Sequence, residues 1–159
     1  MEPFARAAAL LPDFEFVVIG AWRDDAIQHL RALASPNVKF TNWVSDDELQ
    51  NYFSRAQVYV QASRHEGFGL AVAEAMLREC VPVVTRAGSL PEVVGDAGVY
   101  IESPEPRAVA DGIRCALAAP ELGQRARERI IREFPLERRR EKLFGLIEGI
   151  TARAVSPRR

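Results

Sequence analysis

The chain has 159 residues and a formal net charge of -1, from 21 Lys and Arg against 22 Asp and Glu. That balance supplies no global basic field, so nucleic acid is excluded as the expected partner. At 48% hydrophobic and 27% charged it is too apolar for disorder, and long enough to bury a core without disulfide or metal. No signal-peptide pattern opens the chain and no apolar run reaches the roughly 18 residues that span a bilayer, so a cytoplasmic protein is expected. Cys80 and Cys115 sit far apart in apolar settings and read as packed thiols.

In chain order, the apolar runs are Phe14 to Gly20, Val38 to Thr41, Val58 to Ala62, Val81 to Thr85 and Val99 to Ile101. The intervals of 13 to 18 residues between them suit crossover helices and are too long for hairpin loops. Asp24 or Asp25 can cap a helix ending near Ala34, before Pro36. Ser45 with Glu48 forms a capping box and predicts a helix from Asp46 to about Arg55. A strongly apolar helix is expected from about Leu70 to Glu79. Ser89 with Glu92 predicts a second capping box on a short helix that Gly95 closes. Three helices follow, over Glu105 to Ala119, Glu121 to Glu133 and Leu136 to about Thr151. The last lines up Leu143, Phe144, Ile147 and Ile150 on one face. Strands alternating with helices mean an α/β fold with an open, Rossmann-like parallel sheet and carboxyl-terminal helices. Residues 1–152 are expected as one domain, and 153–159 as a disordered tail.

Open parallel sheets bind ligands beyond the carboxyl ends of their strands. The loop Ser63 to Gly69, after the third run, lies at such an end and carries Arg64, His65, Glu66, Gly67 and Phe68. Its glycines let a ligand approach the backbone, and the free N–H groups at the start of the next helix form an anion site. Glu74 lies about 7 Å along that helix, its side chain leaning back toward the start. Two carboxylates bracketing one anion site suit hydroxyl-rich groups on either side of a phosphate, the layout of a nucleotide sugar. The bland alternative is that Glu66 and Glu74 reach solvent or pair with Arg64, Arg78 or Arg86.

The stretch from Ser63 to Glu92, with EGFGLAVAE, AM, VPVVT and GSLPEVV in order, resembles the carboxyl-terminal donor-binding domain of glycosyltransferase family 4, a retaining group of GT-B fold. The resemblance extends weakly from Ala7 to about Ala119. It implies that Glu74 holds the ribose hydroxyls of a nucleotide-diphosphate sugar and that Glu66 contacts the transferred sugar. Phe68, Gly69 and Leu70 would meet the sugar and the diphosphate through their backbone, with Ser63, His65 and Gly67 beside them. The turn Asn42 to Ser45 would border the base. No metal or other cofactor is expected, since no Asp-x-Asp and no Cys/His cluster with metal spacing occurs.

The same resemblance implies an earlier strand, a Gly-Arg turn and a Lys ahead of Met1, together with an amino-terminal acceptor domain or a separate chain. Without that strand the sheet has a gap that something must close, and self-association through it is one option. A membrane-lipid acceptor is another open partner. Arg86, following a strand at the ligand edge, could stand in for the missing cations. Two other readings compete with the donor half of a transferase. One is a non-catalytic interaction domain of GT-B-like fold. The other is a sugar-nucleotide enzyme of another kind, such as an epimerase or a phosphorylase relative, although Lys39 and Lys142 are the only lysines a phosphorylase could use.

Overall fold

The computed structural model describes residues 1–21 and 26–155. The expected cap at Asp24 or Asp25 and the closing Ser-Pro-Arg-Arg lie outside them. The chain opens with α1 (Glu2–Ala7) and a short 3-10 turn (Ala8–Leu10), followed by β1 (Phe16–Val18), α2 (Ala26–Leu33) and β2 (Val38–Phe40). Next come α3 (Asp46–Arg55), β3 (Val58–Gln61), α4 (Leu70–Leu77), β4 (Val81–Thr85), α5 (Leu90–Val94) and β5 (Val99–Ile101). Three helices close the described chain: α6 (Pro106–Leu117), α7 (Glu121–Glu133) and α8 (Leu136–Val155).

All strand pairs are parallel, as the crossover spacing requires, but they form two ladders. One joins β1 to β2, and the other runs in the order β3-β4-β5. The described strands therefore fall into two ladders with a break between them. A shared core spans the break. Phe16 of β1 belongs to the same buried cluster as Val81 and Val83 of β4 and Val109, Ala110 and Ile113 of α6, with Val58 and Val60 packed against it.

The second face of β4 meets a different layer. Val84 packs with Val72 and Met76 of α4, Leu90 and Val93 of α5, and Ala126 and Ile130 of α7. Every residue of β4 is buried, as expected for a central parallel strand covered by helices on both faces. Gly112 lets α6 close on the sheet, because a Cβ there would stand 2.7 Å from Ile101 and 2.8 Å from Val83.

The Ser45 capping box forms as expected. Glu48 N–H donates to Ser45 Oγ at 3.3 Å and Ser45 N–H donates to Glu48 Oε2 at 2.9 Å. These hydrogen bonds hold the Glu48 carboxyl below its ordinary range. The second box, at Ser89 and Glu92, does not form. Ser89 has helical backbone angles, φ -83° and ψ -3°, whereas a cap needs extended ones to turn its hydroxyl onto the next turn. Its Oγ is buried without a partner among the described residues.

One further expectation is corrected. Cys115 is exposed, since α6 turns Val109, Ala110, Ile113 and Ala116 inward and leaves position 115 outside. The apolar residues of α8 remain at the surface: Leu143, Phe144, Ile147 and Ile150 are all exposed. None of the described helices is long and apolar enough to cross a membrane.

Candidate functional site

The carboxyl ends of β3 and β4 carry the loops 62–69 and 86–89, and these meet over the start of α4. Gly69 is the N-cap of α4 at φ +83°, a left-handed conformation that favours glycine. Among the described residues no side chain caps the helix, so its first N–H groups face the loop open. Gly88, at φ +53°, sits so close to Glu66 that a Cβ there would collide with the Glu66 carbonyl oxygen. Gly67 has nothing within 4 Å of where its Cβ would stand, so packing does not demand glycine there.

Glu66 is half-buried and held at both oxygens. Gln61 Nε2 donates to Oε2 at 2.8 Å, and the Gly67 N–H donates to Oε1 at 3.1 Å. Glu74 is also half-buried, yet its carboxylate has no hydrogen bond or ion pair among the described residues. Two of the arginines that could have neutralised it are engaged elsewhere. Arg78 Nε donates to Gln50 at 2.8 Å, and the Arg86 guanidinium lies 4.2 Å from the centre of the Tyr100 ring. Arg86 is thus held by an aromatic face, which argues against its serving as a phosphate cation.

The Tyr59 hydroxyl reports on both carboxylates. Its pKa is pushed up to about 12, first by burial and then by the negative charges of Glu66 and Glu74. Tyr59 thus lies within the electrostatic reach of both acids.

The other expected residues frame this region without joining it. Ser63 Oγ accepts from Gln61 Nε2 at 2.8 Å, and Thr85 Oγ1 donates to the Ser63 carbonyl. His65 is exposed. Phe68, 47% exposed, meets the Phe134 ring edge-on at 5.8 Å, which ties the loop to the end of α7. Leu70 is 63% exposed, so α4 is less completely buried than its composition implies. In the turn Asn42 to Ser45, the Ser45 hydroxyl is engaged by the capping box, while Trp43 stands 73% exposed.

Sequence reasoning missed Tyr59, Gln61 and Gly88 as parts of this site. A signal existed for two of them: Tyr59, Gln61 and Ser63 alternate toward one face of a strand. For Gly88 the contact with Glu66 is purely tertiary.

The sequence profile of the Glycosyl transferases group 1 family matches residues 2–133. The chain belongs to that family. Among curated relatives of this glycosyltransferase family, the O-antigen chain mannosyltransferase B of Escherichia coli is 40% identical over 85 residues, 51% of this chain and 22% of the relative. The match therefore spans about a fifth of that relative's length. Sucrose-phosphate synthase from Thermosynechococcus elongatus superimposes with a TM-score of 0.82 at 26% identity, covering 95% of this chain and 42% of that one. The C-terminal domain of a glycosyl transferase group 1 family protein (LpcC) from Francisella tularensis gives 0.73 at 24% identity, covering 85% of this chain and 79% of its own. Anabaena HepE, in complex with UDP-glucose, gives 0.80 at 18% identity, covering 94% and 46%. The α/β architecture is that of a GT-B glycosyltransferase domain, and the chain is a group 1 transferase domain.

Proposed function

We propose that this domain binds a nucleotide-diphosphate sugar as the donor half of a retaining, family-4-like glycosyltransferase. The observation that carries the reading is Glu74, a half-buried carboxylate without a partner among the described residues, behind the uncapped start of α4. A carboxylate kept partly from water and left unpaired is costly unless a donor arrives from outside. A ribose diol supplies two such donors. The diphosphate then rests on the N–H groups of Leu70 and its neighbours, where the helix dipole favours negative charge. Glu66, already held by Gln61 and Gly67, offers its remaining lone pairs to hydroxyls of the transferred sugar.

In this reading the bond between the anomeric carbon and the diphosphate oxygen breaks, and the departing charge is stabilised by the start of α4. The acceptor hydroxyl forms the new bond on the same face and passes its proton to the departing phosphate. Residues outside this chain bind the acceptor, which fits a relative more than twice its length. No metal takes part, and the diphosphate is held by backbone dipoles. The mannosyltransferase relative and the UDP-glucose complex of HepE support a sugar nucleotide and leave its base and sugar open.

The test is calorimetric titration with UDP, GDP, ADP and their sugar conjugates in metal-free buffer, beside Glu74→Ala. Binding of one base, weakened by more than about 1 kcal/mol in the variant, is the expected result. No binding at millimolar ligand, or an unchanged affinity in Glu74→Ala, overturns the reading.

A further inference from the structure

Behind Glu66 lies a hydrogen-bonded chain that the donor reading does not itself require. Tyr59 OH donates to Gln61 Oε1 at 2.9 Å. Gln61 Nε2 then donates to Ser63 Oγ and to Glu66 Oε2, each at 2.8 Å. Chemistry fixes the direction of this chain. An ionised carboxylate only accepts, so the amide must turn its NH2 toward Glu66 and its oxygen toward the phenol. Both amide hydrogens and the amide oxygen are then in use. The far end is anchored too, because the Tyr59 ring packs edge-on against Phe53, with centroids 5.9 Å apart.

We infer that Gln61 is a positioning residue that presets the Glu66 carboxylate for a hydroxyl-bearing ligand. The inference rests on the proposed reading of Glu66 as a contact to the transferred sugar. A glutamate in a loop loses rotamer freedom when a ligand fixes it, and that loss subtracts from affinity. Here the carboxylate is fixed beforehand, Oε2 by the rigid strand β3 and Oε1 by the adjacent Gly67 N–H. Each oxygen keeps lone-pair capacity for a hydroxyl. The benefit reaches only ligands that extend to Glu66. A nucleoside diphosphate, which stops at the phosphates, gains nothing from it.

Gln61→Met tests this, since methionine is similar in length and makes none of these hydrogen bonds. UDP, UDP-glucose, GDP and GDP-mannose are titrated into the unmodified chain, Gln61→Met, Tyr59→Phe and Glu66→Ala. Gln61→Met is expected to reduce the preference for the sugar nucleotide over its parent diphosphate by about tenfold, with the diphosphate itself changed less than about twofold. Tyr59→Phe, which frees one end of the amide and keeps the ring, is expected to shift the preference the same way by a smaller factor. The side-chain amide resonances of Gln61 should move in Glu66→Ala, as direct evidence of the contact.

If Glu66→Ala abolishes the preference and Gln61→Met keeps it, Gln61 is structural only and the inference is overturned. If Gln61→Met does not fold, an unchanged preference in Tyr59→Phe overturns it. If Glu66→Ala itself keeps the preference, or the unmodified chain prefers no sugar nucleotide, the reading of Glu66 fails first and this inference falls with it.

Discussion

Gly88 and Glu66 are locked together through their backbones: any Cβ at position 88 would collide with the Glu66 carbonyl oxygen. Gly88 also needs its φ of +53°, so two separate constraints keep glycine there. Gly88→Ala is expected to destabilise the fold by about 2 kcal/mol through strain and displacement of the loop. At this chain length that lowers Tm by about 4–8 °C. Gly67→Ala provides the contrast, because nothing stands near its Cβ. It should leave Tm within about 1 °C and weaken sugar-nucleotide binding, by obstructing the approach of ligand to backbone. Thermal melts and calorimetry on the two variants separate packing from binding.

Arg129 of α7 fixes the end of α5. Its guanidinium donates to the Glu92 carbonyl at 2.7 Å and the Val93 carbonyl at 2.9 Å, over a Gly95 that has no room for a side chain. The Tyr100 hydroxyl donates to the Gly95 carbonyl at 2.7 Å, closing the same turn. Arg129→Met keeps much of the aliphatic stem and removes both donors. It should cost about 1–2 kcal/mol in urea unfolding and raise amide exchange around Gly95 to Ala97.

Two groups shielded from water make the fold sensitive to alkali. Burial pushes the Cys80 thiol from 9.0 up to about 11, and burial with two nearby carboxylates pushes Tyr59 from 10.0 up to about 12. Both are neutral when protonated, so the folded chain retains protons that the unfolded chain has already released. Their contribution is complete below pH 9 and is lost as pH rises from about 9 to 12. Unfolding free energy should fall across that window. Tyr59→Phe and Cys80→Ala should each flatten the slope, as chemical denaturation at successive pH values would register.

The two thiols should also react in order. Cys115 is exposed, whereas Cys80 is fully buried and directs its Sγ at the carbonyls of Phe53 and Ala56, at 3.2 and 3.3 Å. Iodoacetamide at pH 8 should label Cys115 in the native chain and reach Cys80 only after unfolding. Equal rates from mass spectrometry would contradict the burial of Cys80.

Much of the site was legible because its residues are local. Ser63 to Gly69 and Glu74 lie on one loop and the helix it starts, so helical rise alone brings Glu74 back toward the loop. The Ser45 capping box was legible for the same reason, since both partners lie within one turn. The Ser89 box looked identical in sequence. It failed because the turn after β4 gives Ser89 helical backbone angles, and short-range pattern says nothing about that approach. Cys115 was misread because the local apolar composition of α6 does not say which side meets the sheet.

By itself the sequence determined the alternation of strand and helix, the parallel sense of the pairing, and one carboxylate in the loop before α4 with another within that helix. Those features depend on periodicity, connection length and near neighbours. Only the tertiary structure decided that Arg86 is taken by Tyr100, and that Glu66 is held while Glu74 has no partner among the described residues. Gly88 against Glu66 and Arg129 over Gly95 belong to that second group, spanning 22 and 34 residues of chain. Side chains so separated in sequence compete for partners in space, and packing alone selects the winner.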